Sequence, residues 1–270
     1  MKRLGRMRTH AGRAMARWAA AALLLSFAGA AMAQWDTQTL ELRPGWNAVF
    51  LEVDPAPNAC DAVFAGLPIK SAWAWNPESP GPQYLRNPDE LLPEQPEWLT
   101  WYPKDSPQSF ATDLFVLVGG RAYLLQVGGT APVIWTVRGR VLTPSAVWSP
   151  DAFNLFGAFV GAGDGPSFSD YFAPSAAHAG QRVFRLNEKG QWVDVVDAAS
   201  AKIRAGEAYW LRCEGASDYA GPISVTFGNG LDKMDFARKG VSMGLTISNR
   251  TGAPRTVELA SRVSEAPPEA

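Results

Sequence analysis

Short apolar runs rich in Val, Phe, Trp and Tyr recur from residue 35 to residue 227, and Gly, Pro, Asn and Asp separate them. Many of these runs alternate apolar with polar positions, the period of a strand that buries one face. The intervening residues supply turn geometries and interrupt helices. The pattern predicts an all-β fold with strands at 39–42, 48–53, 71–75, 114–118, 122–127, 133–138, 152–160, 183–186, 208–213 and 223–227. Helix signals are confined to two short stretches, 58–65 and 167–172.

The chain also matches itself. Gly120-Arg121-Ala122-Tyr123-Leu124-Leu125 corresponds to Gly206-Glu207-Ala208-Tyr209-Trp210-Leu211, and other landmarks keep the same order around it. Trp46-Asn47 answers Phe153-Asn154, and Val63-Phe64-Ala65 answers Tyr171-Phe172-Ala173. Trp73-Ala74-Trp75-Asn76 answers Phe184-Arg185-Leu186-Asn187, and Pro132 and Thr136 answer Pro222 and Thr226. Ordered self-similarity of this kind points to a duplicated module. Each landmark has a physical role. An Asn after an aromatic closes a turn through its side chain, a short amphipathic helix caps a sheet, and Gly-x-Ala-Tyr-x-Leu starts an alternating strand. The expected organisation is a first module at 34–141 with an insertion at 77–109, a second at 142–230, and a C-terminal segment at 231–270. These read as two tandem β-sandwich-like modules with short helices. In the C-terminal segment, 241–248 and 256–260 alternate like strands joined by the turn-prone Asn249-Arg250-Thr251-Gly252. Two strands cannot bury a core alone, so this β-hairpin either adds to the second module or opens an incomplete further domain.

Leu42-Arg43-Pro44-Gly45-Trp46-Asn47-Ala48-Val49, followed by Gly120-Arg121-Ala122-Tyr123-Leu124-Leu125, resembles the Gly-Trp-Asn opening and Gly-x-x-Tyr-x-hydrophobic closing of β-rich modules in bacterial secreted and cell-surface proteins. The segment 245–259 is similar to the start of an immunoglobulin-like repeat in such proteins. The second copy departs from the pattern, with Phe153 in place of Trp and no Pro-Gly before it. The resemblance implies an exported protein assembled from β-modules, of which this chain is the N-terminal part, and it brings no catalytic residues.

The N-terminus agrees with export. Six basic residues from Lys2 to Arg17 precede an apolar run at 19–30, and Ala31-Met32-Ala33 places small residues where a signal peptidase requires them, so residues 1–33 read as a signal peptide cleaved before Gln34. The apolar run falls short of the roughly 20 residues a permanent membrane helix needs. No later stretch is long and apolar enough to span, and no Cys follows the cleavage site to carry a lipid. The expected product is periplasmic, extracellular or on the cell surface. Removing the segment leaves 19 basic against 26 acidic side chains, a net charge of −7 rather than the −1 of the whole chain. An acidic product lacks the clustered cations that phosphate backbones require, which argues against nucleic acid as a partner. At 47% hydrophobic and 19% charged, the composition is that of a globular chain.

Candidate chemistry is sparse. Cys60 and Cys213 are the two cysteines; an oxidising compartment permits a disulfide with one connectivity, and two separate buried thiols are the alternative. After processing, His178 is the sole histidine, in a loop-like Ala-Ala-His-Ala-Gly stretch with no Gly-x-Ser-x-Gly elbow to supply a nucleophile. One His and two distant Cys do not assemble a tetrahedral zinc site, so no metal is expected. Gly161-Ala162-Gly163-Asp164-Gly165-Pro166 imitates a dinucleotide loop, but Pro166 occupies the place of its third small residue, and no cofactor is expected. Asp164 and Asp170 flank that loop without the spaced ladder of a calcium site. Two carboxylates suffice for glycoside hydrolysis, and Glu94 and Glu97 lie beside Trp98 and Trp101, although acidic residues near Pro are ordinarily solvated surface.

The insertion is the remaining departure. From Asn76 to Gly120 there are 44 positions, against 19 from Asn187 to Gly206, so the first copy carries 25 additional residues. Eight prolines lie between 77 and 109, together with Tyr84, Trp98, Trp101 and Tyr102. Prolines preorganise a loop and large aromatics supply stacking faces, which makes these four the candidate ligand-binding residues. The other reading pairs Trp98 with Trp192 and assigns it to a core. The sequence therefore favours a non-catalytic exported protein, structural or adhesive in a bacterial surface or extracellular assembly, with a protein or glycan partner. A carbohydrate-binding module using the 77–109 aromatics is the alternative, and a hydrolase using loop carboxylates a third class.

Overall fold

A computed structural model describes residues 35–76, 88–90, 97–161, 163, 165–228, 242, 244–258 and 265. The signal segment, Tyr84, Glu94 and Asp164 lie outside them. The first half runs β1 (Trp35–Leu42), β2 (Gly45–Phe50), β3 (Val53–Pro55), α1 (Cys60–Val63), β4 (Ile69–Trp75), β5 (Trp98–Trp101), β6 (Ala122–Val127) and β7 (Val133–Val141). The second runs β8 (Phe153–Gly157), α2 (Phe168–Phe172), β9 (Val183–Leu186), β10 (Trp192–Asp194), β11 (Ala208–Arg212), β12 (Ile223–Phe227) and β13 (Leu245–Asn249). The fold is all-β, and every strand pairing is antiparallel.

Two four-stranded sheets dominate. The first has the order β2-β6-β4-β5 and the second β8-β11-β9-β10, so strands with corresponding landmarks occupy corresponding places. Registers correspond as well. Tyr123 lies opposite Val49 and Ala74, and Tyr209 lies opposite Phe156 and Arg185. Trp98 pairs with Trp75 as Trp192 pairs with Leu186.

The landmark side chains make matching bonds. Asn47 Oδ1 accepts from the Arg43 N–H and its Nδ2 donates to the Gly45 carbonyl; Asn154 Oδ1 accepts from Ser149 and its Nδ2 donates to Ala152. Tyr123 Oη accepts from the N–H five residues earlier, Val118, at 2.8 Å, and Tyr209 Oη accepts from Arg204 at the same offset and distance. The α1 start bridges Ala59 to Val116, and the α2 start bridges Ser167 to Lys202. Each of the two strands β6 and β11 is entered through a left-handed glycine, Gly120 at φ 73° and Gly206 at φ 70°, a conformation that side-chain-bearing residues adopt at a cost.

Alternation along these strands sorts side chains between cores. In β4, Ala72 and Ala74 point to one side while Trp73 and Trp75 point to the other; in β6, Tyr123 and Leu125 separate from Leu124 in the same way. The inner side of the first sheet packs against the three-stranded sheet β1-β7-β3 and α1, with Leu42, Trp135, Phe64 and Leu117 between them. The corresponding side of the second sheet is covered by α2 and by loops, through Phe168, Tyr171, Phe172, Trp148 and Ile203. The two outer sides meet each other. Trp73, Trp98, Leu124 and Trp210 form a third core, flanked by half-buried Trp46, Trp75, Tyr102, Phe153, Phe184 and Trp192. A Cβ on Gly157 would stand 2.1 Å from the Phe50 ring, so a side chain there would collide with the first sheet.

Several expected elements differ. Residues 114–118 form no strand; Val116 alone makes a β-bridge, because Leu114 and Leu117 are drawn into the first core. Strand β5 arises within the proline-rich insertion. Residues 245–249 pair with β12, while 256–258 are not strand and 259–260 lie outside the described residues. α2 is capped by Ser167, whose Oγ accepts from the Asp170 N–H and donates to its carboxylate.

Candidate functional site

Trp98 and Tyr102 face the core between the sheets, whereas Trp101 faces the core of the first half. Trp98 is 6% exposed and packs edge-on against Trp75 at 5.3 Å and Trp210 at 6.0 Å, inside the core between the sheets. Trp101, also 6% exposed, points the other way, onto Phe64 at 4.9 Å, and its Nε1 donates to Asp61 Oδ1 at 3.0 Å. Lys104 and that indole hold the Asp61 carboxyl below its ordinary pKa. Tyr102 is half-buried, with its ring 6.2 Å from Trp73, and burial followed by Asp113 raises its phenol pKa. Tyr84 lies outside the described residues. Of the two candidate carboxylates, Glu94 also lies outside, and the Glu97 carbonyl accepts from the Asn76 N–H.

Cys60 and Cys213 are free buried thiols in two different cores. Burial, reinforced by Asp61, pushes the Cys60 thiol up to about 12, and burial raises Cys213 as well. His178 is 1% exposed, with its ring 4.1 Å from Trp148 and Nδ1 2.7 Å from Ser175 Oγ. Burial lowers its pKa to about 4, which keeps the imidazole neutral. Among the described residues no cluster of three His, Cys, Asp or Glu side chains stands ready for a metal, and no helix is long and apolar enough to cross a membrane.

The most developed polar site lies elsewhere, in a cleft of about 520 Å³ between the two halves. From the first half come Glu41, Arg43 and Trp46, around the β1–β2 turn that Asn47 closes. From the second come Arg185 on β9 and the 204–207 segment leading into β11. The Arg185 guanidinium lies over the rings of Tyr209 at 5.2 Å and Phe168 at 5.7 Å, and its Nη2 donates to the Lys202 carbonyl. Its Nε lies 3.1 Å from Glu207 Oε1, and both side chains are about one-fifth exposed. Tyr209 Oη donates to Glu207 Oε2 at 2.9 Å, fixing the carboxylate from its other oxygen, and burial followed by Glu207 raises the Tyr209 pKa. Arg43 and Glu188 make an exposed pair across the mouth at 2.6 Å. Trp46 is fixed by donation from Nε1 to Asp89 Oδ1 at 2.7 Å.

Sequence reasoning did not find this cleft. Its residues come from three separated segments, and Arg185 occupies the place that Ala74 holds in the first half. That apolar-to-charged exchange was the one signal available. Comparison with protein-family models, with curated proteins and with solved structures gave no match.

Proposed function

We propose that the chain is an exported, non-catalytic protein with a structural or adhesive role in a bacterial surface or extracellular assembly, built from a duplicated β-module. The observation that carries this reading is the aromatic core between the two four-stranded sheets. Large aromatics that an isolated module would have to expose are used to join the halves, which suits a rigid spacer or display element. The matching strand orders and the equivalent Asn and Tyr bonds support duplication. The inaccessible, neutral His178 and the high thiol pKa of Cys60 support a role without nucleophilic catalysis.

Fractionation of cells producing the full chain, with N-terminal sequencing, tests the reading. A product beginning at Gln34 outside the cytoplasm is expected; retention inside the cell with residues 1–33 attached contradicts it. The carbohydrate-binding alternative keeps one supporting observation, the half-buried Tyr102 beside Trp73 at the end of β5. Retention of the chain on an insoluble polysaccharide, abolished by Tyr102→Ala, would favour it.

A further inference from the structure

We propose that the cleft between the two halves is a binding site for a neutral oligosaccharide, distinct from the aromatics of the 77–109 insertion. Its volume, about 520 Å³, lies within the range of about 300–1,000 Å³ typical of small-ligand pockets. Charge decides the ligand class. Arg43, Arg185 and Arg204 are matched by Glu41, Glu188 and Glu207, so the cleft has no net charge with which to hold an ion. What it offers is direction: fork-shaped donors and carboxylate acceptors side by side, the complement of vicinal hydroxyls.

Two of these groups, Arg185 and Glu207, are held in place before any ligand arrives. Arg185 is fixed by two rings, a carbonyl and Glu207, and Glu207 in turn by Tyr209. Such fixing removes the ordering penalty that flexible side chains would add to binding. Arg204, 65% exposed and only 3.9 Å from Glu207, and Glu41 have donor and acceptor capacity to turn toward a ligand, one from each half. Trp46, held by Asp89, brings an indole to the same cleft, an apolar surface for the C–H face of a pyranose. Binding here goes beyond a structural role and does not depend on export.

The test is calorimetric titration of the full chain with neutral hexasaccharides of β-1,4-glucose, β-1,4-xylose, β-1,4-N-acetylglucosamine and α-1,4-glucose, at low and high salt. Arg204→Ala and Glu41→Gln, both at exposed positions, are compared after circular dichroism has shown an unchanged fold. At least one sugar should bind with an affinity insensitive to salt, and each variant should weaken it about tenfold, the worth of one hydrogen bond to a charged group. Absence of binding by the whole panel overturns the proposal. So does binding that both variants leave unchanged, which would move the site to the insertion, and so does binding that high salt abolishes.

Discussion

His178 shows what burial does to a single side chain. The folded chain holds the neutral imidazole, with its pKa lowered to about 4, whereas the unfolded chain takes up a proton near the ordinary value of about 6.5. A depressed pKa of this kind contributes stability that is fully present above about pH 6.5 and is lost as pH falls toward 4, a difference of about 3 kcal/mol across the window. His178→Gln should flatten that part of the melting temperature against pH profile relative to the parent chain. Parallel slopes would contradict the account. The cysteines make a second prediction at this scale. Both are buried free thiols, so native protein should resist iodoacetamide and take up two equivalents once unfolded in denaturant without reductant. A mass unchanged under those conditions would reveal a disulfide.

At the scale of elements, the two tyrosines that open β6 and β11 should behave alike. Tyr123→Phe leaves the Val118 N–H without its partner, and Tyr209→Phe does the same to Arg204. Each should cost about 1–3 kcal/mol in urea unfolding. A loss at one position alone would mean that the shared geometry is not a shared anchor. These strands were legible in the sequence because their determinants are local: a glycine able to take positive φ, then alternating apolar residues. The Asn-closed turns were legible for the same reason. Strand β5 was obscured by the prolines around it, and 114–118 by a pattern set by two leucines entering a core rather than by sheet pairing. Of the two strands expected at 241–248 and 256–260, the first appears as β13 and pairs with β12 of the second half, while 256–258 is not strand. Alternation assigns side chains to two faces but does not say what covers each face. The role of Trp98 therefore remained open in the sequence, and the cleft, made from distant segments, left there only the exchange of Ala74 for Arg185.

At the scale of the whole described unit, the tryptophan core makes the two halves interdependent. Trp210 touches Trp75 and Trp98 of the first sheet and Trp192 of its own. Trp210→Ala should cost about 3–5 kcal/mol and lower the stability of both halves together. Gly157→Ala should act through the same interface, since its new methyl group meets Phe50. The most direct test of this coupling is differential scanning calorimetry of the intact chain. The account predicts one transition whose calorimetric and van't Hoff enthalpies agree. Two separable transitions, only one of which moves in Trp210→Ala, would contradict it.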